Sequence, residues 1–327
     1  MLKKYFLQIL IVLLLILIAW GLYLIGKTEN SQNKPIQASI NQTEGDATPL
    51  KLPTADDIDT VFFPIRNWSV AEPEISAKSA IIVNPKSNDS NNILFKKNIE
   101  QILPIASLTK LMTAIIALEN YNPEDIIKVS EESIKINGDN GGLIAGEELI
   151  VKDLLYIMLV ESSNDAAIAL AKDGSKVGFD DFIYQMNEKA GKIGLKNTRF
   201  IEPAGLNSEN ESTVMEVILV AEHALKFPLL SEILQTPETI IYSIDRKFIH
   251  KLTSTNTLFG KIPILIGGKT GYTEEAGGCM VTFSNINNTR SELVEPNYLI
   301  TVVLGSSQRE DDTSKLIDWA QKAWIWQ

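Results

Sequence analysis

Apolar residues fall along this 327-residue chain in several rhythms, and each predicts a different element. The first is a continuous run over residues 5–25, preceded by Lys3 and Lys4 and broken among polar residues only by Gln8. At about 1.5 Å per residue such a helix spans the hydrocarbon core of a bilayer. The stretch 26–69 is rich in Asn, Gln, Thr, Ser and Pro, with an acidic cluster at Asp56, Asp57 and Asp59, and reads as a flexible or extended linker. Phe62, Phe63 and Trp68 are its residues for docking on the body. Beyond it, 79–83 reads as a strand, 85–92 as a turn and 93–95 as the hairpin partner. Helical patterns dominate from 108 to about 230. Strands return near 264–273, 279–285 and 298–304, and an amphipathic helix over 313–326 carries Leu316, Ile317, Trp319, Ala320 and Ile325 as apolar positions. Strands at both ends with helices between predict an α+β fold: one antiparallel sheet closed by both chain ends, flanked by helices, with a mostly helical second lobe. The expected organisation is a cytoplasmic tip and anchor over 1–25, an extracytoplasmic linker over 26–69 and one globular body over 70–327.

Short motifs stand in one order on this framework. Ser107-Leu108-Thr109-Lys110 opens the apolar run 111–118 and follows Pro104, which fits a helix whose first turn holds Ser107. Residues three apart share a helix face, so Lys110 can reach the Ser107 hydroxyl. A serine hydroxyl needs a base to become a nucleophile, and a lysine serves only if burial or nearby cations favour its neutral form. The plain alternative is a helix start with an exposed lysine. Glu161-Ser162-Ser163-Asn164-Asp165 is a polar break between the apolar segments 154–160 and 166–171. Buried polar groups are costly without partners, so a functional hydroxyl and amide would explain it; an interhelical turn capped by Asn164 or Asp165 would too. Lys269-Thr270-Gly271 lies in a glycine-rich stretch after the apolar residues 262–266. Strand glycines mark close backbone approach, and a peptide could lie along that strand with Lys269 and Thr270 holding an anionic terminus. A hairpin turn is the alternative. S-x-x-K recurs at Ser31, and S-x-N at Ser39, Ser208 and Ser254, so each motif alone is weak and the ordered set carries the information.

With these words in place, and with residues 104–114, 162–167, 194–200 and 268–273 read together, the chain resembles the serine-type D-alanyl-D-alanine carboxypeptidases. These are the low-molecular-weight penicillin-binding proteins of peptidase family S11, and the likeness covers roughly 70–327. The resemblance implies a β-lactamase/transpeptidase-like fold with the site between lobes. It implies that Ser107 is acylated with Lys110 as its base, that Ser162 relays a proton to the leaving amine, and that Asn164 holds the substrate peptide. Lys269 and Thr270 would engage the terminal carboxylate beside Gly271, and the backbone N–H groups of Ser107 and Tyr272 would form the oxyanion hole. Arg309 is the matching arginine after the last strand. The implied partners are peptidoglycan stem peptides ending in D-Ala-D-Ala, and β-lactams as covalent inhibitors. The residues at 5–25 would anchor the protein in a bacterial cell membrane, with its N-terminus in the cytoplasm by the positive-inside rule. Leu22 to Lys27 offers no A-x-A cleavage site, so the span is expected to be uncleaved.

Two departures stand out. Ser163 occupies a position where glycine or alanine is more usual, and its side chain is expected to point away. Glu202 stands where the family usually has asparagine. A glutamate here resembles the deacylating residue of class A β-lactamases, but Glu202-x-x-x-Leu206-Asn207 is one residue longer than that family's E-x-x-L-N, so the match is read as chance. Alternatives to the carboxypeptidase are a β-lactamase of the same fold and a non-catalytic peptidoglycan-binding envelope protein. One cysteine, Cys279, excludes an internal disulfide, and only two histidines, His223 and His250, argue against a Ser-His-Asp triad or a His-rich zinc site. No metal or cofactor is called for. A net charge of −11 argues against nucleic acid as a partner.

Overall fold

The strand Ser79–Val83 is buried at every residue because both faces of its sheet are covered. Alternate side chains of a strand point to opposite faces. Ile81 and Val83 accordingly join one apolar cluster with Val281, Phe283, Ile300, Val302 and Leu304. Ala80 and Ile82 join another with Leu299, Val303, Leu316, Trp319 and Ala320. The structure, a computed structural model, describes residues 64–85, 93–136, 138, 141–174, 178–286 and 298–325. The expected span over 5–25, Phe62, Phe63, most of the linker and nearly all of the expected turn lie outside the described residues.

Five strands form the main sheet in the order Leu265–Thr273, Gly277–Asn285, Tyr298–Ser306, Ser79–Val83, Ile93–Lys97, each pair antiparallel. Both chain ends therefore contribute, as the apolar pattern predicts. The helix Arg309–Ala323 covers the smaller cluster, with Trp319 edge-on to Phe95 at 5.6 Å between ring centroids. The other face receives the helix Val214–Leu225, on which Lys110–Asn120 packs, with Val151–Val160 beyond. Lys110–Asn120 is buried from Lys110 through Ala117, as a helix apolar nearly all round must be. Asn120 ends it, its amide donating to Ile116 O at 2.9 Å.

Several expectations need correction. Ser107 lies in a 3-10 turn, Ala106–Thr109, and the α-helix begins only at Lys110. The last helix runs Arg309–Ala323 instead of 313–326, because Trp324–Ile325 turns extended to pair with Ile65–Arg66. Those two residues, expected in the linker, thus belong to the body. Trp68 does not dock: it is 84% exposed, and its contact is the Arg66 guanidinium 5.3 Å from its ring centroid. The sequence pattern also missed two small antiparallel pairs, Ile126–Lys128 with Glu148–Ile150 and the hairpin Glu238–Tyr242 with Ile249–Thr253.

Candidate active site

The nucleophile turn is prepared by unusual backbone. Leu103–Pro104 pairs with Glu211–Ser212 and delivers the chain to Ala106, which takes φ +47°. Non-glycine residues rarely adopt that region, and such positions persist where surrounding structure dictates them. Two backbones press on the turn from either side. A Cβ added at Gly205, itself at φ +87°, would lie 2.0 Å from Ala106 O, and one added at Gly271 would lie 2.8 Å from Ser107 N.

Lys110, fully buried, crosses the gap. Its Nζ donates to Ser107 Oγ at 2.8 Å, to Asn164 Oδ1 at 2.8 Å and to the backbone carbonyl of Ala204 at 2.6 Å. The amine therefore ties together the turn, the second motif and a loop. Only the first of these contacts follows from i, i+3 spacing.

The second motif interrupts two helices. Val151–Val160 ends, Ser162 takes φ +66°, and Asn164–Ile168 begins. Ser163, not Asn164 or Asp165, is the N-cap, accepting from Ala166 N at 3.1 Å and donating to Asp165. That accounts for the serine at this position. The Asp165 carboxylate also accepts from Gly141 N at 2.9 Å and Leu143 N at 3.1 Å, holding a neighbouring loop against the motif. His250 clasps that loop from the other side, 3.2 Å from Gly141 O through Nδ1 and 2.7 Å from Glu147 Oε1 through Nε2. Its pKa is raised first by the hydrogen bond to Glu147, against a smaller opposing effect of burial.

The third motif lies on Leu265–Thr273, an edge strand with one sheet neighbour. Lys269 is 1% exposed, and its Nζ donates to Ser162 Oγ at 2.7 Å and to Thr270 O at 2.8 Å. Thr270 Oγ1 lies 2.5 Å from Thr255 Oγ1. Arg309 reaches the same strand, Nη1 donating to Gly271 O at 2.8 Å and Nε to Glu310 at 2.8 Å. Tyr272 is 65% exposed beside it. Ser107, Lys110, Ser162, Asn164, Lys269, Thr270, Gly271, Tyr272 and Arg309 are thus gathered at one place. The chemistry available is that of a hydroxyl nucleophile, two buried amines, a second hydroxyl and an open strand edge able to pair with an extended peptide.

Sequence reasoning missed Thr255, the Ala204 carbonyl and the part His250 plays, and offered Asp165 only as a helix cap. Thr255 sits inside one of the decoy S-x-N words, and a backbone carbonyl leaves no trace in residue type. Residues 194–200, part of the family text, prove to be scaffold. Lys196 N, Asn197 N and Thr198 Oγ1 donate to Glu216, which stands at the start of Val214–Leu225. Cys279 lies 3.6 Å from Pro104 O, and burial pushes its thiol up to about 11, which keeps it un-ionised at neutral pH.

Against known proteins, the sequence model described as D-alanyl-D-alanine carboxypeptidase, peptidase family S11, matches residues 66–307. The chain is 33% identical over 256 residues to the D-alanyl-D-alanine carboxypeptidase DacF of Bacillus subtilis, covering 75% of this chain and 62% of that protein. It is 31% identical to a D-alanyl-D-alanine endopeptidase of Pseudomonas aeruginosa, covering 76% of this chain and 79% of the relative. Among solved structures it is similar to the Streptomyces K15 DD-transpeptidase, with a TM-score of 0.69, 27% identity, and coverage of 77% of this chain and 99% of that one.

Proposed function

The chain belongs to the D-alanyl-D-alanine carboxypeptidase family, peptidase S11, and from that membership we propose that it is a serine D,D-carboxypeptidase of the bacterial cell wall. It removes the terminal D-alanine from peptidoglycan stem peptides through an acyl-enzyme and is acylated by β-lactams. The observation that carries the reading is the buried Lys110 amine 2.8 Å from Ser107 Oγ.

In this mechanism Lys110 first gives up the proton it points at Ser107; the neutral amine keeps its donors on Asn164 Oδ1 and Ala204 O, and its lone pair takes the Ser107 proton as Oγ attacks the penultimate D-alanine carbonyl. The backbone N–H groups of Ser107 and Tyr272 receive the oxyanion, where preorganised donors act most strongly. Ser162 Oγ relays to the departing amine the proton that Lys110 took from Ser107, so that both hydroxyl and amine are restored, and Lys269, bonded to that hydroxyl, supplies the positive charge beside it. Asn164 orients the substrate amide. Thr270 and Arg309 bind the terminal carboxylate on the open edge beside Gly271. Water then hydrolyses the ester and frees Ser107.

A second reading has support from the Pseudomonas aeruginosa and Escherichia coli endopeptidases, 31% and 30% identical: the same acyl transfer applied to a crosslink, with a second stem peptide as leaving group. Incubation with a D-Ala-D-Ala pentapeptide, a crosslinked muropeptide dimer and a β-lactam separates these outcomes. D-Alanine release with slow β-lactam turnover supports the carboxypeptidase. Preferential cleavage of the dimer supports the endopeptidase, and rapid β-lactam hydrolysis without D-alanine release supports a β-lactamase.

We further propose that residues 5–25 hold the enzyme in the membrane, with 26–64 as the tether and the catalytic body outside. The support is the apolar run itself; among the described residues no helix is long and apolar enough to cross a membrane. Retention of the native protein in the membrane fraction under high salt, with Met1 or Leu2 near its N-terminus, is the expected result. A mature N-terminus after residue 26 refutes it.

A further inference from the structure

We infer that Glu202 is a positioning residue whose carboxylate shapes the loop that presents the Ala204 carbonyl to Lys110. The inference rests on Lys110 being the base for Ser107. The function assigned above makes no use of Glu202.

The carboxylate gathers successive backbone donors. Oε2 accepts from Ala204 N at 2.6 Å; Oε1 accepts from Gly205 N and Leu206 N, both at 2.6 Å, and from Asn207 N at 3.3 Å. The Asn210 amide adds a donor to Oε1 at 2.7 Å. Consecutive N–H groups converging on one anion form a nest, and the peptide carbonyls are turned away from it. The Ala204 carbonyl is among those turned outward, and it meets Lys110 Nζ at 2.6 Å.

The loop is tied down elsewhere in the same sense. Thr113, on the helix that carries Lys110, donates from Oγ1 to Pro203 O at 2.7 Å. Fully buried Asn210 accepts from Ile201 N at 2.6 Å and donates to Glu202 O at 2.9 Å. Gly205 lies against the Ala106–Ser107 peptide, where any Cβ would collide. A small change in the loop thus reaches the base and the nucleophile turn together.

A deacylating role fits these contacts poorly. A carboxylate offers about four lone-pair sites, and the donors already converging on Glu202 leave little capacity to hold and deprotonate a water. A glutamine there would turn its NH2 toward backbone N–H donors, so the site calls for the charged residue.

Glu202→Ala and Glu202→Gln test this, with acylation by a fluorescent penicillin and release of the acyl group timed separately. The limiting rate of acylation at high pH, where Lys110 is neutral in every protein, is expected to fall about tenfold or more in both, because base and nucleophile turn lose an ionic hydrogen-bonded anchor. The pH of half-maximal acylation should move down, because a carbonyl acceptor favours the ammonium form of Lys110. Thr113→Val, which cuts the loop's other tether, should shift the profile the same way if Glu202→Ala does not fold. A variant that acylates normally but stalls in deacylation identifies a base and overturns the inference. Wild-type acylation with an unmoved pH profile, alongside a lower Tm, leaves Glu202 a purely structural role and also overturns it. Titration of the Lys110 ¹³Cε resonance in the unliganded protein requires no turnover. If wild-type protein neither releases D-alanine nor reacts with penicillin, the functional reading fails, while a lowered or unmoved Lys110 midpoint still decides for or against Glu202.

Discussion

Two buried lysines each donate to a serine hydroxyl in this site, and they are held in different ways. Lys110 stands at the head of a buried helix and is gripped by Ser107, Asn164 and the Ala204 carbonyl, which come from separate segments. Lys269 stands on an edge strand and is held by Ser162 and by the carbonyl of its own neighbour Thr270. The first arrangement fixes an amine on the nucleophile. The second fixes one on the Ser162 hydroxyl, which the proposed mechanism assigns to the leaving group. Removing an ammonium from water costs several kcal/mol unless acceptors surround it, so both places are maintained against that cost. The difference teaches that Lys110 joins segments far apart in the chain to the nucleophile turn, whereas Lys269 links its own strand to the second motif.

The largest expected effect breaks the first pair outright. Ser107→Ala should abolish covalent labelling by a fluorescent penicillin and lower kcat/KM by about 10³-fold or more, with an unchanged Tm. Labelling that persists at another serine overturns the assignment of the nucleophile.

Lys110→Gln and Lys269→Gln then set the two pairs against each other. Loss of a general base costs about 10²–10⁴-fold, and Lys110→Gln should show it on every substrate. Lys269→Gln should lose most of its deficit on a thioester, whose leaving group needs no proton. Equal deficits for both variants on the amide and the thioester would erase the proposed division between attack and departure.

A smaller effect probes the strand side alone. Thr270→Ala should reduce acyl-enzyme formation about tenfold, since a hydrogen bond to a charged group contributes ~1.5–3 kcal/mol. The loss should be greater on peptides with a free C-terminal carboxylate than on amidated ones. Arg309→Ala should share that bias, because its guanidinium reaches the same strand at Gly271. Equal losses on free and amidated peptides would remove Arg309 from the carboxylate site.

The same contrast explains how much was legible beforehand. Ser107 and Lys110 are three positions apart on what becomes a helix start, so spacing alone brings them together. Ser162 and Lys269 are 107 positions apart, and only the antiparallel sheet joined to the helical middle makes them neighbours. The strands Ser79–Val83 and Tyr298–Ser306 were legible because their residues are mostly apolar at both faces; the hairpin Glu238–Tyr242 with Ile249–Thr253 was not, since Ile240, Tyr242 and Ile249 face solvent. The final helix was misjudged at both ends. Its first turn is acidic, with Glu310, Asp311 and Asp312, and Trp324 looks like one more apolar helix position until Ile65–Arg66 pairs with it. Ala204 contributes a carbonyl, which any residue would supply, so its identity carries no signal.

The smallest expected effect concerns the bracing of the Lys110 side. His250 and Asp165 clasp Gly141 from opposite directions, and Asp165 belongs to the motif that supplies Asn164 to Lys110. The hydrogen bond to Glu147 raises the His250 pKa in the folded protein above its unfolded value of about 6.5. A raised folded pKa means that the folded state binds the proton more tightly. The stabilisation is therefore complete below the unfolded pKa and disappears as pH rises through the folded one. His250→Gln should lower Tm more at pH 5.5 than at pH 9, by a difference of about 2 °C or more. Any accompanying loss of activity should resemble a weakened Lys110 variant and should not depend on the leaving group. A Tm difference that is flat with pH, or one that grows toward alkaline pH, would show that the protonated His250–Glu147 pair does not brace this side of the site.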